Sequence, residues 1–328
     1  MAILFEGKHL PTLKELIVSN PPNVPSEAAW IWGPEDDVGR LNLLTPNLVR
    51  NVLASESTHG LVSSLNWDIS LPRDPLFNRP ALHHETKELG AGSCIHDDTI
   101  IMNTQSGSQF DGLRHFGHLS KKVFYNGVTV DQISGDDASK NQRIGIQAAS
   151  QRGIVGRGVL LDFATWADET GVSYDPFTRR GITLAELKAI ASYQKVEFQI
   201  GDVLLIRSGW IKKYNTLRNG KFEQPINRQN PSLIGVEQDE DVKEWLHDQY
   251  FSLVGGDQPA FEAWPKKTDT YLHEYLLACW GVMIGEMLDL EDLAAKCKSV
   301  QKYSFVFTSA LFNSPGGVAS LANALAII

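Results

Sequence analysis

Asn103-Thr104-Gln105-Ser106-Gly107-Ser108-Gln109-Phe110-Asp111-Gly112-Leu113-Arg114-His115-Phe116-Gly117-His118 is the densest polar cluster in the chain. It follows Thr99-Ile100-Ile101-Met102, whose apolar and β-branched character predicts a strand. If that strand continues, Gln105, Gln109 and Asp111 share one face, because a strand's faces repeat every second residue. Gly107 and Gly112 would let the backbone bend toward a bound ion or ligand.

Outward from this stretch, strand and helix signals alternate to the end of the chain. Gly158-Val159-Leu160-Leu161-Asp162-Phe163 and Asp202-Val203-Leu204-Leu205-Ile206-Arg207 are short apolar runs bounded by turn residues. Tyr303-Ser304-Phe305-Val306-Phe307-Thr308 alternates and is rich in aromatic and β-branched residues. Helical patterns lie between them, from Thr183, from Asp239 to Tyr250, from Asp269 to Cys279 and from Leu290 to Lys298. Thr183 and Glu186 have the spacing of a capping box. The mixture predicts a single α/β domain over residues 1–328. Within it, the proline-rich piece Asn20–Pro25 sets off residues 1–25, with a short leading helix, as an N-terminal extension packed on the body. The segment Leu71–His84, with Pro72, Pro75 and Pro80, reads as loop, and His83-His84-Glu85 as a solvated part of it.

Composition narrows the function. With 42% hydrophobic and 21% charged residues in 328, the chain has an ordinary globular balance. Its formal charge of 30 − 39 = −9 argues against a phosphate-backbone partner, so nucleic-acid binding is not expected. Cys94, Cys279 and Cys297 form no C-x-x-C pair. A disulfide framework and a zinc ribbon are therefore unsupported, and the three read as small buried apolar residues. No run approaches the roughly 18 apolar residues of a membrane span, and the first residues lack a secretory core. A cytoplasmic protein with no membrane partner is expected.

A second cluster holds His273, in an apolar helical pattern with Leu276 and Leu277, and Glu286, just past the run Trp280–Gly285. A carboxylate at the end of a buried strand needs a partner. Spacing alone favours an arginine or a hydrogen-bonded turn, with a metal ion as the alternative. Asp, Glu, His and Gln together suit a divalent cation, carboxylates favouring Mn or Mg and imidazole favouring Zn. His115 would remain free to move protons near neutral pH.

In order along the chain, these pieces resemble the Putative cyclase family, best known for bacterial kynurenine formamidases and isatin hydrolase. The family signature, His-x-Gly-Thr-His-x-Asp-x-x-x-His, lies over Gln105 to His115. Trp32–Gly39 and Leu41–Pro46 resemble the opening segment of the family's longer branch. Gly156–Asp162 resembles its central strand, and Gly201-Asp202 through Ser208-Gly209-Trp210 its Gly-Asp to Arg-Thr-Gly-Trp strand. Gly255-Gly256-Asp257, His273 and Ser314–Val318 follow in family order.

The resemblance implies a swivelling β/β/α fold: a mixed, curved, barrel-like sheet with outer helices, assembled as a homodimer or homotetramer. It implies Asp111, His273 and Glu286 as metal ligands and His115 as proton donor and acceptor. Gln105 and Gln109 stand where the formamidases have two metal-binding histidines. The exchange substitutes a harder amide oxygen for imidazole nitrogen and tilts a zinc or manganese site toward Mn or Mg. Phe116, Trp32, Trp210 and Asp257 are the expected substrate-binding residues.

The function expected is a metal-dependent hydrolase of an amide or lactone carbonyl in a small aromatic or cyclic substrate. The alternatives are a metal-assisted cyclase or dehydratase of secondary metabolism and a catalytically silent ligand-binding member.

Overall fold

The structure, a computed structural model, describes residues 3–134, 141–218, 226–269 and 271–328. Its central sheet has nine strands. They are β1 (Val62–Ser64), β2 (Gln109–Asp111), β3 (Ile154–Leu161), β4 (Val203–Ile206), β5 (Leu253–Gly256), β6 (Met283–Glu286), β7 (Ser304–Ser309), β8 (Ala319–Leu321) and β9 (Ala324–Ile327). Their spatial order is β8-β2-β6-β5-β4-β3-β7-β9-β1, curled into a half-barrel with helices outside. The expected mixed α/β fold is what the chain forms.

The four middle strands, β3 to β6, run parallel to one another. Strands covered on both faces need no polar alternation, which is why these segments read as continuous apolar runs. Antiparallel strands flank them: β7, β9 and β1 on one side, β2 and β8 on the other. Between parallel neighbours the chain crosses over through Phe163–Thr170 and Leu184–Gln194, and later through Trp210–Arg218 and Glu240–Asp248. The Thr183 capping box forms, with Glu186 N donating to Thr183 Oγ1 and Thr183 N to Glu186 Oε2. Close backbone approach fixes Gly39 (φ +58°), because a Cβ there would sit 2.1 Å from Gly281 O.

Four expectations change. The strand before the polar cluster spans His96–Ile101 but does not continue. It pairs with His83–Glu88 as a two-stranded ribbon in which every residue is exposed, so His83-His84-Glu85 is strand rather than loop. Asn103 then turns the chain, its Oδ1 accepting from Gln105 N, and β2 starts afresh at Gln109. The helix expected from Asp269 narrows to a wide turn over Glu274–Cys279, with Trp280 N donating to Tyr275 O. Residue 270 of that expected helix lies outside the described residues. Cys94 is exposed, unlike Cys279 and Cys297.

Residues Leu13–Ser19 form the leading helix, started by a Thr12–Glu15 capping box. Leu13 N donates to Asp248 Oδ1, and Leu10 packs with Leu43 and Tyr250. Among the described residues no helix is long and apolar enough to cross a membrane.

Candidate metal and substrate site

Register brings the two sequence clusters together. In the β2–β6 pair, Gln109 stands opposite Glu286 and Asp111 opposite Ile284. The Gln109 amide Nε2 donates to Glu286 Oε2 (2.9 Å) and to Asp111 Oδ1 (3.0 Å), tying the two carboxylates together. Gln105, delivered by the turn rather than the strand, donates from Nε2 to the same Asp111 oxygen at 2.7 Å. It also reaches His115 Nδ1 at 2.9 Å. An amide nitrogen can only donate, so His115 Nδ1 accepts and the ring's own proton sits on Nε2. With their nitrogens so placed, Gln105 and Gln109 brace the carboxylates, and Gln109 Oε1 is left buried without a hydrogen-bond partner among the described residues.

One carboxylate oxygen is left over. Asp111 is fully buried, and its Oδ2 has no hydrogen-bond partner among the described residues. It points between two imidazoles, 3.8 Å from His273 Nε2 and 3.8 Å from His115 Nε2. On the far side, Glu286 Oε1 lies 3.2 Å from His273 Nε2 and accepts from Phe261 N. His273 Nδ1 is held 2.5 Å from Glu262 Oε2, so that nitrogen carries a proton, and a metal ion would take the place of the second proton that the carboxylates favour on Nε2.

The charges fit a cation. Asp111, Glu262 and Glu286 are three carboxylates almost without solvent access around one histidine. Burial opposes the Asp111 charge, yet His115 and His273 outweigh it and hold the carboxyl down at about 2. Burial and the Asp111 charge push Glu286 up to about 7. Glu262, Asp111 and Glu286 overcome burial and raise His273 well above its ordinary value. The chain thus gathers negative charge that only protons or a metal can balance. Asp111, His115 and His273 form a trio of potential donor atoms, all within 4.8 Å of one another. Glu286 Oε1 is the competing third donor. The Nε2 proton of His115 favours Glu286, since His115 could ligate through Nε2 only if Gln105 turned its amide oxygen inward.

This cluster is the floor of a cavity of about 230 Å³. Its walls are Phe77, Phe116, Trp264 and Tyr271, with Arg79 at one side. Trp264 and Tyr271 stack at 5.9 Å and 28°, and Phe77 meets Trp264 edge-on at 5.6 Å. Volume and lining suit a small planar ligand.

Phe116, His115, His273 and Glu286 are therefore brought together as expected, and three other residues are not. Trp210 is fully buried, stacked on Tyr214 and edge-on to Trp67, where it fills the core. Trp32 packs beside the Leu10–Tyr250 cluster under Lys8. Asp257 spends its carboxylate on Ser208 N, Ser208 Oγ and Gly209 N at the start of the Trp210 helix. None of the three lines the cavity. Glu262 and Arg79 escaped the sequence reading. A lone carboxylate inside Pro259-Ala260-Phe261-Glu262-Ala263-Trp264 was a signal for the first, while nothing marked Arg79 between Asn78 and Pro80.

Because Glu262 orients the His273 ring, Glu262→Gln is expected to weaken divalent-ion affinity by about 10–100-fold. Competition titration against a chromophoric chelator reads this directly, and an unchanged affinity would remove Glu262 from the site.

Comparison with known proteins came out as follows. A family model described as Putative cyclase matches residues 52–263. A comparison with curated proteins finds no match. Among solved structures, one described as a novel cyclase superposes with a TM-score of 0.79 at 28% identity, covering 92% of this chain and 97% of the other. Isatin hydrolase A from Labrenzia aggregata, bound to benzyl benzoate, gives 0.57 at 16% identity, covering 85% and 98%. Isatin hydrolase A from Ralstonia solanacearum gives 0.58 at 15%, covering 86% and 97%. At those last identities the likeness is one of fold.

Proposed function

The chain belongs to the Putative cyclase family, and from that premise we propose that it is a metal-dependent hydrolase of an amide or lactone carbonyl in a small planar substrate. One observation carries the reading: donor atoms of Asp111, His115 and His273 lie within 4.8 Å of one another, with Glu286 Oε1 3.2 Å from His273 Nε2, at the foot of an aromatic cavity. A divalent ion, Mn or Zn by its mixed oxygen and nitrogen donors, would polarise the carbonyl and acidify the attacking water.

The chain's residues supply the rest. Glu262 fixes the His273 tautomer, and Gln109 holds Asp111 and Glu286 at a set separation. Phe77, Phe116, Trp264 and Tyr271 orient the flat substrate and thin out the water around the scissile bond. His115, partly open to the cavity, carries the mobile proton on Nε2. The neutral ring takes a proton from the attacking water, and the imidazolium so formed gives one to the leaving nitrogen or oxygen and returns to neutral. Burial, with the nearby His273 and Arg79 charges, lowers the His115 pKa despite Asp111, which keeps the ring neutral and able to accept a proton.

The test is metal content by elemental mass spectrometry together with product mass after incubation with aryl formamides and cyclic imides. About one Mn or Zn per chain and a product heavier by one water are expected. A product of equal mass, or lighter by one water, would replace hydrolysis with cyclisation or dehydration. A protein that takes up no ion would overturn the proposal in favour of ligand binding without turnover.

A further inference from the structure

Arg79 is the cation in the wall of a cavity whose other walls are aromatic and whose floor holds His115, Glu262, His273 and Glu286. Its Nη1 donates to Gln105 O at 2.6 Å, and its guanidinium carbon lies 5.4 Å from the centre of the Phe77 ring. No ion pair to a carboxylate is found for it among the described residues. Among the described residues Arg40, Arg114 and Arg152 also bond only backbone carbonyls, but none of them lines the cavity, whereas the arginines that are ion-paired show what Arg79 lacks. Arg143 has Asp37, Arg157 has Glu56 and Asp202, Arg179 has Glu237, and Arg207 has Asp162 and Glu291.

The loop holding Arg79 is tied in place. Arg228 donates from Nη2 to Arg79 O and from Nε to Pro75 O, while Phe77 N donates to Arg228 O. Arg79 N closes a turn on Leu76 O, with Phe77 and Asn78 between them at φ of +58° and +57°. Two left-handed non-glycine residues in succession mark a backbone held by its surroundings. The charge is therefore presented at a fixed place, facing Asp111, His115 and Glu286 closely enough for each to feel it.

We propose that Arg79 is the anion subsite of this cavity, taking a carboxylate carried on the aromatic ring of the substrate beside the bond to be cleaved. The inference rests on the hydrolase reading for the word substrate, but not for the binding itself. A guanidinium with several unspent N–H groups matches a carboxylate's two oxygens, which an ammonium or an amide cannot do as well. The stacked pair Trp264 and Tyr271 and the edge of Phe77 then hold the ring, and Phe77 stands under the guanidinium itself. Without an anion the guanidinium keeps N–H groups that no carboxylate in the cavity accepts from directly.

The probes are anthranilate and its neutral isostere 2-aminobenzamide, titrated calorimetrically into manganese-loaded protein. Wild type is expected to bind anthranilate at least about tenfold more tightly. Arg79→Gln should bring that ratio to about one with 2-aminobenzamide affinity unchanged, and Arg79→Lys should keep part of it. A ratio untouched by Arg79→Gln would assign the preference to the ion and overturn the proposal, as would equal loss of both ligands. N-formylanthranilate and 2-formamidobenzamide, assayed in parallel, separate the two readings. If neither is cleaved while the binding ratio behaves as expected, the hydrolase reading falls and the subsite stands. If both are cleaved with a kcat/KM ratio indifferent to Arg79, the subsite falls and the hydrolase stands.

Discussion

Asp111→Asn is expected to empty the metal site and lower turnover by about a thousandfold or more while leaving the protein folded. The magnitude follows from losing several kcal/mol of transition-state charge stabilisation supplied through the ion, at about 1.4 kcal/mol per tenfold. The folding expectation follows from the neighbours. Asparagine keeps a carbonyl oxygen for the Gln105 and Gln109 amides, and it removes a negative charge that helps push Glu286 up to about 7. Its surroundings nonetheless hold the Asp111 carboxyl down at about 2, so the charge is net stabilising, and the metal-free variant is expected to melt lower than wild type while still folding, with elemental analysis showing the ion gone. His115→Asn is the complementary change. It should keep the ion and lose about 100- to 10,000-fold in kcat, the usual range for a proton-transfer group. If His115→Asn also loses the ion, His115 is the third ligand in place of Glu286.

What the sequence made legible follows from which forces act locally. The β3 and β4 runs could be read because strands buried on both faces leave an uninterrupted apolar trace. The Asp111–His115 spacing and the pairing of Asp111 with His273 and Glu286 came from the ordered motifs of a family, and the geometry is consistent with them. The expected strand through Gln105 failed because the Asn103 side chain captures a backbone N–H and turns the chain, a local competition that periodicity does not register. Trp210 and Asp257 failed differently. Aromatic and acidic residues serve cores and caps as readily as pockets, and only the fold shows that Asp257 faces three donors of the Ser208–Gly209 turn. Arg79 could not be reached at all, since its meaning comes from a loop that meets Arg228 and faces Trp264 and Tyr271 far along the chain.

Arg207→Met is expected to cost about 3–5 kcal/mol of stability, the range for leaving a buried charge without its partner. The guanidinium is buried, and it donates from Nε and Nη2 to both oxygens of Glu291 and from Nη1 to Asp162 Oδ1. Burial works against its charge, yet Glu291 and Asp162 outweigh that and raise its pKa. Asp162 in turn caps the Phe163–Thr170 helix through Thr165 N, and Ala164 N donates to Arg207 O. Glu291 opens the helix that runs to Val300. One side chain therefore joins the ends of β3 and β4 to two outer helices, and the next residue, Ser208, passes the connection to Asp257 on β5's outgoing turn. Methionine fills much of the volume but leaves Asp162 buried and uncompensated. Adding Asp162→Asn should recover part of the loss, giving a coupling of about 1–3 kcal/mol in a double-mutant cycle read by urea unfolding. Metal content per folded molecule should not change, because neither Arg207 nor its partners bond to Asp111, His273 or Glu286. A loss below about 1 kcal/mol would mean that the two carboxylates find water or protons when the arginine is gone, and that the motif around Gly201-Asp202 to Trp210 is held by apolar burial alone.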